Sequence, residues 1–436
     1  MADEKIIDEA INKAVSIKKT LKNLPSYKRF EALKYISEEI KAKREFLAEL
    51  IALESGKPLI YALGEVDRSV QTFLIAAEES KRLPKEYISL DWTPPGTNKE
   101  GIIKYFPVGI VAGITPFNFP INLVAHKVAP AIAAGCPIII KPASATPLSC
   151  LELAKIIDQT DLPKGVLSVL PMNRKTGNYL IQHPNVSMIS FTGSPAVGWQ
   201  IKLMAGKKKV TLELGGNAGC LIGKVNDLET VVKKCVTGAF AYSGQVCIHT
   251  QRIFVLEDLY EAFLTQFVKE TKTLTIGNPT DTTTEISAMI DEKNTQRVLS
   301  WIDEAVKGGA KVVYGGHLQN NILEPTILTA TKSNMKVNCE EVFGPVVIIE
   351  KVSTFKEGLE ELNHSKFGLQ AGVFTNNIEE MDLAFNELEV GGVILNDVPT
   401  FRVDHMPYGG IKDSGFGREG VKYAIIDMME PKILVK

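Results

Sequence analysis

The sequence has few cysteines and no long apolar run. Six cysteines among 436 residues are too few for a disulfide scaffold, and no two form a Cys-x-x-Cys pair. Such usage is typical of a reducing compartment, so we expect a cytoplasmic protein. The first residues are acidic and then amphipathic, unlike a secretory signal, and no later stretch has the length of a membrane span. We therefore expect a soluble chain.

The sequence also has no excess of positive or negative charge. The 49 Lys and Arg residues nearly balance the 51 Asp and Glu residues, so composition gives no reason to expect binding to nucleic acid or to an anionic membrane. The basic run 207–209 precedes an apolar segment and is interpreted as a solvated strand entrance. No His, Cys and Asp cluster has metal-ligand spacing, and we expect no metal site.

Apolar periodicity indicates the fold. Helical spacing dominates the N-terminal part, with Pro25-Ser26 as a helix start and Gly56 as a stop. After Gly101, apolar runs at 108–114, 137–140, 166–170, 187–191 and 210–214 alternate with helical segments at 122–134, 147–158 and 195–205. Runs that are apolar at consecutive positions suit parallel strands covered on both faces. They predict a doubly wound α/β domain.

A second strand-helix series begins near residues 251–255. Its predicted helices lie at 258–274 and 291–308, and further strands lie at 346–350 and 393–396. A chain of this length is expected to form two large domains and a smaller appendage. No low-complexity linker separates the two series, so the boundary is expected within 215–247.

Two residues in glycine-rich settings suggest covalent catalysis. Cys247 follows Gly244-Gln245-Val246, and Glu213 lies 34 residues earlier, directly before Leu214-Gly215-Gly216. A soft nucleophile and a carboxylate base suit formation and hydrolysis of a covalent intermediate. By itself the pair is a weak signal, because buried cysteines and exposed glutamates are common.

Two further segments allow either a functional or a structural interpretation. Residues 187–195 predict a strand, a glycine turn and a helix start at Ser194-Pro195, where a pyrophosphate can bind. Without a Gly-x-Gly-x-x-Gly pattern, an ordinary strand-helix connection is an equal alternative. Asn118 lies between Pro116 and Pro120, where its amide can donate to an oxyanion or satisfy a tight turn.

Asn118, Glu213 and Cys247 taken together resemble the aldehyde dehydrogenase superfamily. Further family-like segments are 141–143, 191–194, 340–346 and 407–415, in the expected order from the first helix to the end of the chain. The segments 401–410 and 420–424 are most similar to the branch that contains lactaldehyde dehydrogenases and non-phosphorylating glyceraldehyde-3-phosphate dehydrogenases. The resemblance implies a Rossmann-type cofactor domain, a second α/β catalytic domain and a small β oligomerisation appendage.

This resemblance implies a mechanism. Cys247 would attack an aldehyde as the thiolate, while the Asn118 amide and the Cys247 backbone N–H would form the oxyanion hole. Hydride transfer to nicotinamide would leave a thioester, and Glu213 would activate water to release the acid. A free cysteine has a pKa of about 8.5, so the site is expected to favour the thiolate through a helix start, the cofactor or nearby donors.

The resemblance also implies an NAD(P) site. Lys141 and Glu341 match positions that hold the two riboses. Ser194 matches a pyrophosphate contact, and Phe343 matches a support on the nicotinamide side. The complete set of implied cofactor contacts is Thr115, Pro116, Phe117, Lys141, Ser144, Gly193, Ser194, Leu214, Gly215, Glu341 and Phe343.

Ser144 bears on the choice of cofactor. NAD-preferring members commonly carry a glutamate three residues after the lysine that matches Lys141. A neutral serine removes charge repulsion against a 2′-phosphate, so NADP is expected to be accepted and even preferred, with NAD still usable.

Four residues are candidates for substrate contact: Arg68, Phe119, His249 and Arg402. Relatives that bind glyceraldehyde 3-phosphate use several arginines and a tyrosine, but here Val246 and Phe119 replace two of those positions. Because a phosphate dianion requires several charge-assisted donors, a small hydroxyaldehyde such as lactaldehyde or glyceraldehyde is the first choice. Succinate semialdehyde or another anionic semialdehyde is the alternative, and both arginines can equally be salt-bridge residues. His126, in an apolar helical run, is interpreted as structural.

Other functions remain open from the sequence. A coenzyme A-acylating dehydrogenase is disfavoured by Glu213, because activated water would compete with the thiol. A cysteine-dependent amidase or acyltransferase would not use the ribose-contacting positions. A non-catalytic binding protein would be expected to have lost at least one of the three chemical groups, yet all three are present.

Two apolar strands at 102–106 and 431–435 resemble the oligomerisation strands of the family, and exposed strands of this kind favour a homodimer or homotetramer. We expect a dinucleotide-binding domain at 1–97 and 113–214, a catalytic domain at 215–411, and oligomerisation strands at 98–112 and 422–436. Relatives often carry an additional N-terminal strand segment, so either that sheet edge is left open or a partner subunit or a loop covers it.

Overall fold

The computed structural model describes all 436 residues. Four helices form the N-terminal part: Glu4–Asn23, Ser26–Ala42, Arg44–Ser55 and Leu59–Ser80. The helical pattern from Ser26 onward is interrupted once, at Lys43, whose φ of −102° and ψ of 20° separate two helices. Gly56 ends the second of these in the left-handed conformation, with φ of 70°.

The first sheet has six strands, five of them parallel. In spatial order they are Gly415–Phe416, Lys209–Glu213, Val186–Thr192, Ile110–Ile114, Ile138–Lys141 and Leu167–Val169, and the first is antiparallel to its neighbour. Its helices are Asn122–Ala134, Leu148–Asp158, Arg174–Gln182, Pro195–Met204 and Val421–Asp427. The predicted doubly wound arrangement is confirmed.

The second sheet has seven strands. Their order is Lys311–Tyr314, Thr326–Thr329, Val346–Val352, Arg252–Leu256, Gly219–Ile222, Gln370–Phe374 and Gly392–Leu395, with only the first pair antiparallel. Its helices are Leu228–Phe240, Glu257–Thr271, Glu292–Lys307, Lys336–Cys339, Phe355–Asn363 and Ile378–Glu387. Short 3₁₀ segments occur at Pro94–Gly96 and Ala241–Gly244.

A third sheet is antiparallel and consists of Lys85–Ser89, Glu100–Pro107 and Met429–Val435. Two small ribbons pair Leu318–Gln319 with Ile322–Leu323 and Phe367–Gly368 with Ile411–Lys412. One strand of the third sheet, Lys85–Ser89, comes from the segment 1–97 that we predicted to be part of the dinucleotide-binding domain. Residues 110–112 were predicted to belong to the oligomerisation segment 98–112, but the strand Ile110–Ile114 pairs in the first sheet. The division of the chain into domains stays a prediction.

The strand register brings separate segments of the chain to one edge of the first sheet. Ile114 pairs with Lys141 and with Phe191, and Thr192 pairs with Glu213. In open parallel sheets, ligands bind beyond the carboxyl ends of the strands, where these residues lie. No helix combines the length and the apolar character that crossing a membrane requires.

Candidate active site

A cavity of about 590 Å³ lies at this edge of the first sheet. Three segments form much of its wall: residues 115–121, which we name the asparagine loop; residues 241–251, which we name the cysteine loop; and the segment around Glu341. The first comes from the first sheet, whereas the other two belong to the second. The cavity therefore lies between the two sheets.

The cysteine loop reverses direction sharply before Cys247. Tyr242, Ser243 and Gly244 all adopt left-handed backbone conformations, with φ of 52°, 52° and 68°. A side chain at Gly244 would place its Cβ 2.1 Å from the carbonyl oxygen of Gly344, so only glycine fits. The reversal presents the partly buried Cys247 at the cavity wall.

The asparagine loop is bonded directly to the cysteine loop. The Nδ2 of buried Asn118 donates to the carbonyl oxygen of Gln245 at 2.9 Å. An amide nitrogen has two hydrogens, so one further donor remains. The backbone N–H of Cys247 donates to no protein acceptor. Both donors are therefore free to bind an oxyanion formed beside the sulfur.

A buried ion pair supports the asparagine loop from below. Oε1 of Glu65 accepts hydrogen bonds from the backbone N–H groups of Ile121 and Asn122, at 3.0 and 3.1 Å. Its Oε2 pairs with the fully buried ammonium of Lys57. That ammonium lies 3.8 Å from the centroid of the Phe119 ring. The asparagine loop is thus held by Glu65 at its C-terminal end and by Lys57 against the ring of Phe119.

Glu213 lies directly behind the cavity wall. Both carboxylate oxygens are buried, and neither accepts a hydrogen bond. A Cβ on Gly409 would lie 2.9 Å from Oε1, which places the carboxylate against the backbone next to Tyr408. Burial, and then the charge of Glu419, raise the pKa of Glu213 well above its usual value. A carboxyl group whose pKa is raised can act as a base near neutral pH.

The sulfur of Cys247 has one polar side-chain partner, the hydroxyl of Tyr408 at 3.1 Å. Burial raises the pKa of Cys247 to about 11, while the Tyr408 hydrogen bond and then the charge of Arg402 oppose the rise. The cysteine lies between a 3₁₀ segment and a strand rather than at a helix start. Of the expected ways to favour the thiolate, a nearby donor is the one that this geometry provides.

Arg402 has hydrogen-bonding capacity that no protein group uses. Its guanidinium lies 3.6 Å from the centroid of the Tyr408 ring, and only 7% of its side chain is exposed. Its Nε and Nη2 are buried without hydrogen-bond partners, and Nη2 is 3.6 Å from an oxygen of Glu419. Glu419 is itself bonded to Lys127 at 2.8 Å. Arg402 therefore has buried donors that can bind an anion in the cavity.

The charge of Arg68 is compensated within the protein. Its Nη2 donates to Asp404 at 2.6 Å, and the Nε2 of His126 lies 2.7 Å from the same oxygen. Burial lowers the pKa of His126, so the neutral ring donates to the carboxylate. The structural interpretation of His126 fits this contact. Arg68 lines the cavity with part of its donor set already used.

On the cofactor side, glycines allow a carboxylate to approach the main chain. Oε1 of Glu341 accepts from the backbone N–H of Gly216 at 3.0 Å, and a Cβ on Gly215 would lie 2.3 Å from Oε2. Burial raises the pKa of Glu341 to about 7. Phe343, in a left-handed conformation, packs edge-to-face against Phe117 with centroids 5.8 Å apart.

The donors at this end of the cavity suit a dinucleotide. The partly buried ammonium of Lys141 has no carboxylate partner, and its nearest acceptor is the adjacent Pro142 carbonyl at 3.4 Å. Ser194 begins the helix Pro195–Met204 and makes no capping bond with its side chain. An available cation beside the start of a helix is typical of sites for ribose hydroxyls and phosphates.

The cavity brings together most of the predicted site residues. Those on its wall are Arg68, Thr115, Pro116, Phe117, Asn118, Phe119, Gly193, Ser194, Leu214, Gly215, Cys247, Glu341, Phe343 and Arg402. Lys141 and Ser144 lie outside this lining, at and after the strand end that pairs with Ile114. Their assigned roles stay predictions.

His249 is not part of the cavity wall. It is buried, does not line the cavity, and burial lowers its pKa to about 4. Sequence reasoning did not identify Tyr408, although it lies beside the Gly409-Gly410 pair that carried the resemblance. It also missed Asn294 and Arg297, which line the cavity from the helix Glu292–Lys307. That helix has ordinary amphipathic spacing and gave no distinguishing signal.

Comparisons with known proteins agree with this geometry. The sequence pattern of the aldehyde dehydrogenase family matches residues 1–434. The chain is 44% identical over 428 residues to 3-sulfolactaldehyde dehydrogenase of Priestia aryabhattai, covering 98% of this chain and 90% of that protein. Aldehyde dehydrogenase 21 from Physcomitrella patens, solved with the reaction product succinate, is 45% identical with a TM-score of 0.98, covering 100% of this chain and 91% of that one.

A third relative is glyceraldehyde-3-phosphate dehydrogenase GapN from Methanocaldococcus jannaschii, solved with NADP. It is 39% identical with a TM-score of 0.95, and the match covers 100% of this chain and 95% of that chain. The predicted branch and fold are thereby confirmed.

Replacement of Gly216 by alanine is expected to displace Cys247. The new Cβ would lie 2.2 Å from the carbonyl oxygen of Cys247, so the cysteine loop would have to move. We expect alkylation of Cys247 by iodoacetamide, followed by peptide mass spectrometry, to change at least about threefold in rate, with a stability loss of about 1–3 kcal/mol. Gly64→Ala is the control, because no atom lies within 4 Å of its Cβ. An unchanged Cys247 rate in Gly216→Ala would contradict the tight contact.

Proposed function

Because this chain belongs to the aldehyde dehydrogenase family, we propose that it oxidises a short aldehyde with an anionic group at its far end. The product is the corresponding carboxylic acid, and NAD(P) accepts the hydride. The observation that carries the substrate class is Arg402, which lines the cavity together with Cys247 and has two donor atoms, Nε and Nη2, that no protein group uses. Carboxylate and sulfonate groups both match such a guanidinium.

The balance of charge around Arg402 supports an anionic ligand. In the connected group, the cations Lys127, Arg402 and Arg68 face the carboxylates Glu419 and Asp404. Although burial raises it, the Lys127 ammonium keeps the pKa of Glu419 below its usual value. The buried Glu213 also interacts with Arg402 and Lys127, and its pKa is raised. While Glu213 is protonated, three cations face two ionised carboxylates, and a monoanion would neutralise the remaining positive charge.

The residues of the chain have distinct roles in the proposed reaction. Cys247 attacks the aldehyde carbon, and the Asn118 amide and the Cys247 N–H stabilise the oxyanion. When bound, the nicotinamide supplies the hydride acceptor. Glu213 takes a proton from water, which then attacks the thioester and releases the acid with return of the thiol.

Neutral hydroxyaldehydes are the second candidate. Asp404 already compensates Arg68, and Glu419 lies near Arg402, so a lactaldehyde- or glyceraldehyde-like substrate would leave the resident contacts undisturbed. A phosphate dianion is less suitable, because Val246 and Phe119 line the cavity without adding donors.

NADP is proposed as an accepted and preferred cofactor, with NAD still usable. Ser144 is exposed and neutral, and Lys141 offers a cation without a carboxylate partner nearby. The relative from Methanocaldococcus jannaschii was solved with NADP, which supports the same choice.

We also propose that the chain forms a homodimer or homotetramer. On the strand Met429–Val435, the side chains of Ile433, Leu434 and Val435 are exposed by 47–56%. Such an apolar strand at a sheet edge favours pairing with another subunit.

Arg402→Met is expected to discriminate between the two substrate classes. Loss of a charge-assisted hydrogen bond costs about 2–3 kcal/mol, so kcat/KM for succinate semialdehyde and sulfolactaldehyde should fall about 30- to 150-fold relative to lactaldehyde. Arg402→Lys should recover part of the loss, and the surface variant Arg44→Met serves as the control. Equal losses for anionic and neutral aldehydes would contradict an anion-binding role for Arg402.

Glu213→Gln is expected to separate acylation from hydrolysis. One equivalent of reduced cofactor should form rapidly, and later turnover should be about 10²- to 10⁴-fold slower, because the general base is missing. Since the pKa of Glu213 is raised and its base form is ionised, hydrolysis in the native enzyme should accelerate with rising pH through that pKa. Glu350→Gln removes another carboxyl group of raised pKa, away from the cavity, as a control. Native turnover in Glu213→Gln would exclude the role.

Ser144→Glu is expected to reduce use of NADP. A carboxylate at this position would repel the 2′-phosphate and could bond to ribose hydroxyls, so kcat/KM with NADP should fall at least about tenfold while that with NAD is kept or raised. Ser144→Gln is the neutral control of the same size. Unchanged NADP kinetics in the glutamate variant would place the 2′-phosphate elsewhere.

A further inference from the structure

Tyr408 makes the one polar side-chain contact to the sulfur of Cys247. Its hydroxyl oxygen lies 3.1 Å from Sγ, and the tyrosine is 3% exposed. A thiolate can only accept a hydrogen bond, whereas a neutral phenol can donate one. Burial, and then the charge of the neighbouring Cys247, raise the pKa of Tyr408 well above its usual value, so the phenol stays protonated. Toward a thiolate, this hydroxyl is therefore a donor.

The position of the hydroxyl is fixed from two sides. The guanidinium of Arg402 lies over the ring, and the backbones of Tyr408 and Glu419 exchange two N–H···O hydrogen bonds of 3.0 and 2.6 Å. Ile248 and Leu369 pack in the same apolar cluster as the tyrosine. Since ring and backbone are both held, the hydroxyl oxygen stays beside the sulfur.

The other charged groups around the sulfur oppose one another. Glu341 and Glu213 disfavour a negative sulfur, and Arg402 favours it. In a buried position the thiolate requires a direct donor, because burial alone would leave cysteine protonated. Among these groups, Tyr408 is within hydrogen-bond distance.

We propose that the Tyr408 hydroxyl is the hydrogen-bond donor that stabilises the thiolate of Cys247 before the aldehyde binds, an inference that rests on the proposed nucleophilic role of Cys247. No proton leaves the tyrosine. As the sulfur electron pair forms the bond to the carbonyl carbon, the π pair of the C=O bond moves onto the carbonyl oxygen as an oxyanion. The sulfur then becomes a weaker acceptor, and the hydroxyl is released from it.

Tyr408→Phe keeps the ring and removes only the hydroxyl. We expect the pH midpoint for alkylation of Cys247 by iodoacetamide, in the protein without cofactor, to rise by one to two units. At a fixed pH below the midpoint, the rate should fall about 10- to 100-fold, because one pKa unit changes the thiolate fraction tenfold. Cys339 is partly exposed and serves as an internal reference in the same digest. Tyr260→Phe is the matched control, since its hydroxyl donates to the Ile349 carbonyl.

A second variant changes the strength of the donor instead of removing it. Site-specific 3,5-difluorotyrosine at position 408 keeps the shape and makes the hydroxyl more acidic, so the Cys247 midpoint should fall. This test remains informative if the phenylalanine variant does not fold. An unchanged Cys247 midpoint in folded Tyr408→Phe, or a midpoint in the fluorinated protein that is not lowered, would overturn the donor role.

Failure of the proposed function has a different signature. If Cys247→Ser retained full aldehyde oxidation, the nucleophile assignment itself would be wrong. Suppose instead that Cys247→Ser is inactive, but that the pH midpoint for alkylation of Cys247 is the same in the native protein and in Tyr408→Phe. The proposed function then stands, and only the donor role of Tyr408 is lost.

Discussion

One hydrogen bond between two loops joins the two halves of this site. The Asn118 amide belongs to the loop that follows a strand of the first sheet, and its acceptor, the Gln245 carbonyl, precedes Cys247 in the chain of the second sheet. The bond therefore sets the distance between the oxyanion donors and the nucleophile. The Glu65–Lys57 pair and the left-handed turn before Cys247 hold the two ends of that bond in place. Neither sheet alone contains a complete site.

Electrostatics provides the second constraint. Glu213 is buried without a hydrogen-bond partner and lies against the backbone of Gly409, while Arg402 is buried with free donors over the ring of Tyr408. Burying unpaired polar groups costs about 1–3 kcal/mol each, so such an arrangement is expected where a ligand completes the set. The strained turn at Tyr242 and Ser243 is a further local cost at the same place.

Sequence patterns were sufficient for the fold and for part of the site. Consecutive apolar runs located the strand Ile110–Ile114 and its neighbours because parallel strands buried on both faces have a distinctive pattern. The interruption at Lys43 was not predicted, since one residue of irregular backbone leaves apolar spacing unchanged. Tyr408 could not be predicted from the sequence, because its proposed role depends on a 3.1 Å contact with Cys247, which lies 161 positions away in the chain. His249, two residues after the cysteine in sequence, is buried and does not line the cavity, which sequence proximity to Cys247 could not reveal.

The ion pair beneath Phe119 has a consequence for how substrate preference can diverge within this architecture. The same helix that Glu65 caps carries His126 and Lys127, so the asparagine loop and these buried charges are joined through one continuous segment of backbone. Movement of that backbone would disturb the nucleophile and the base together. A change of substrate preference is therefore most accessible through substitution of the side chains at positions 119 and 246, with the backbone left in place.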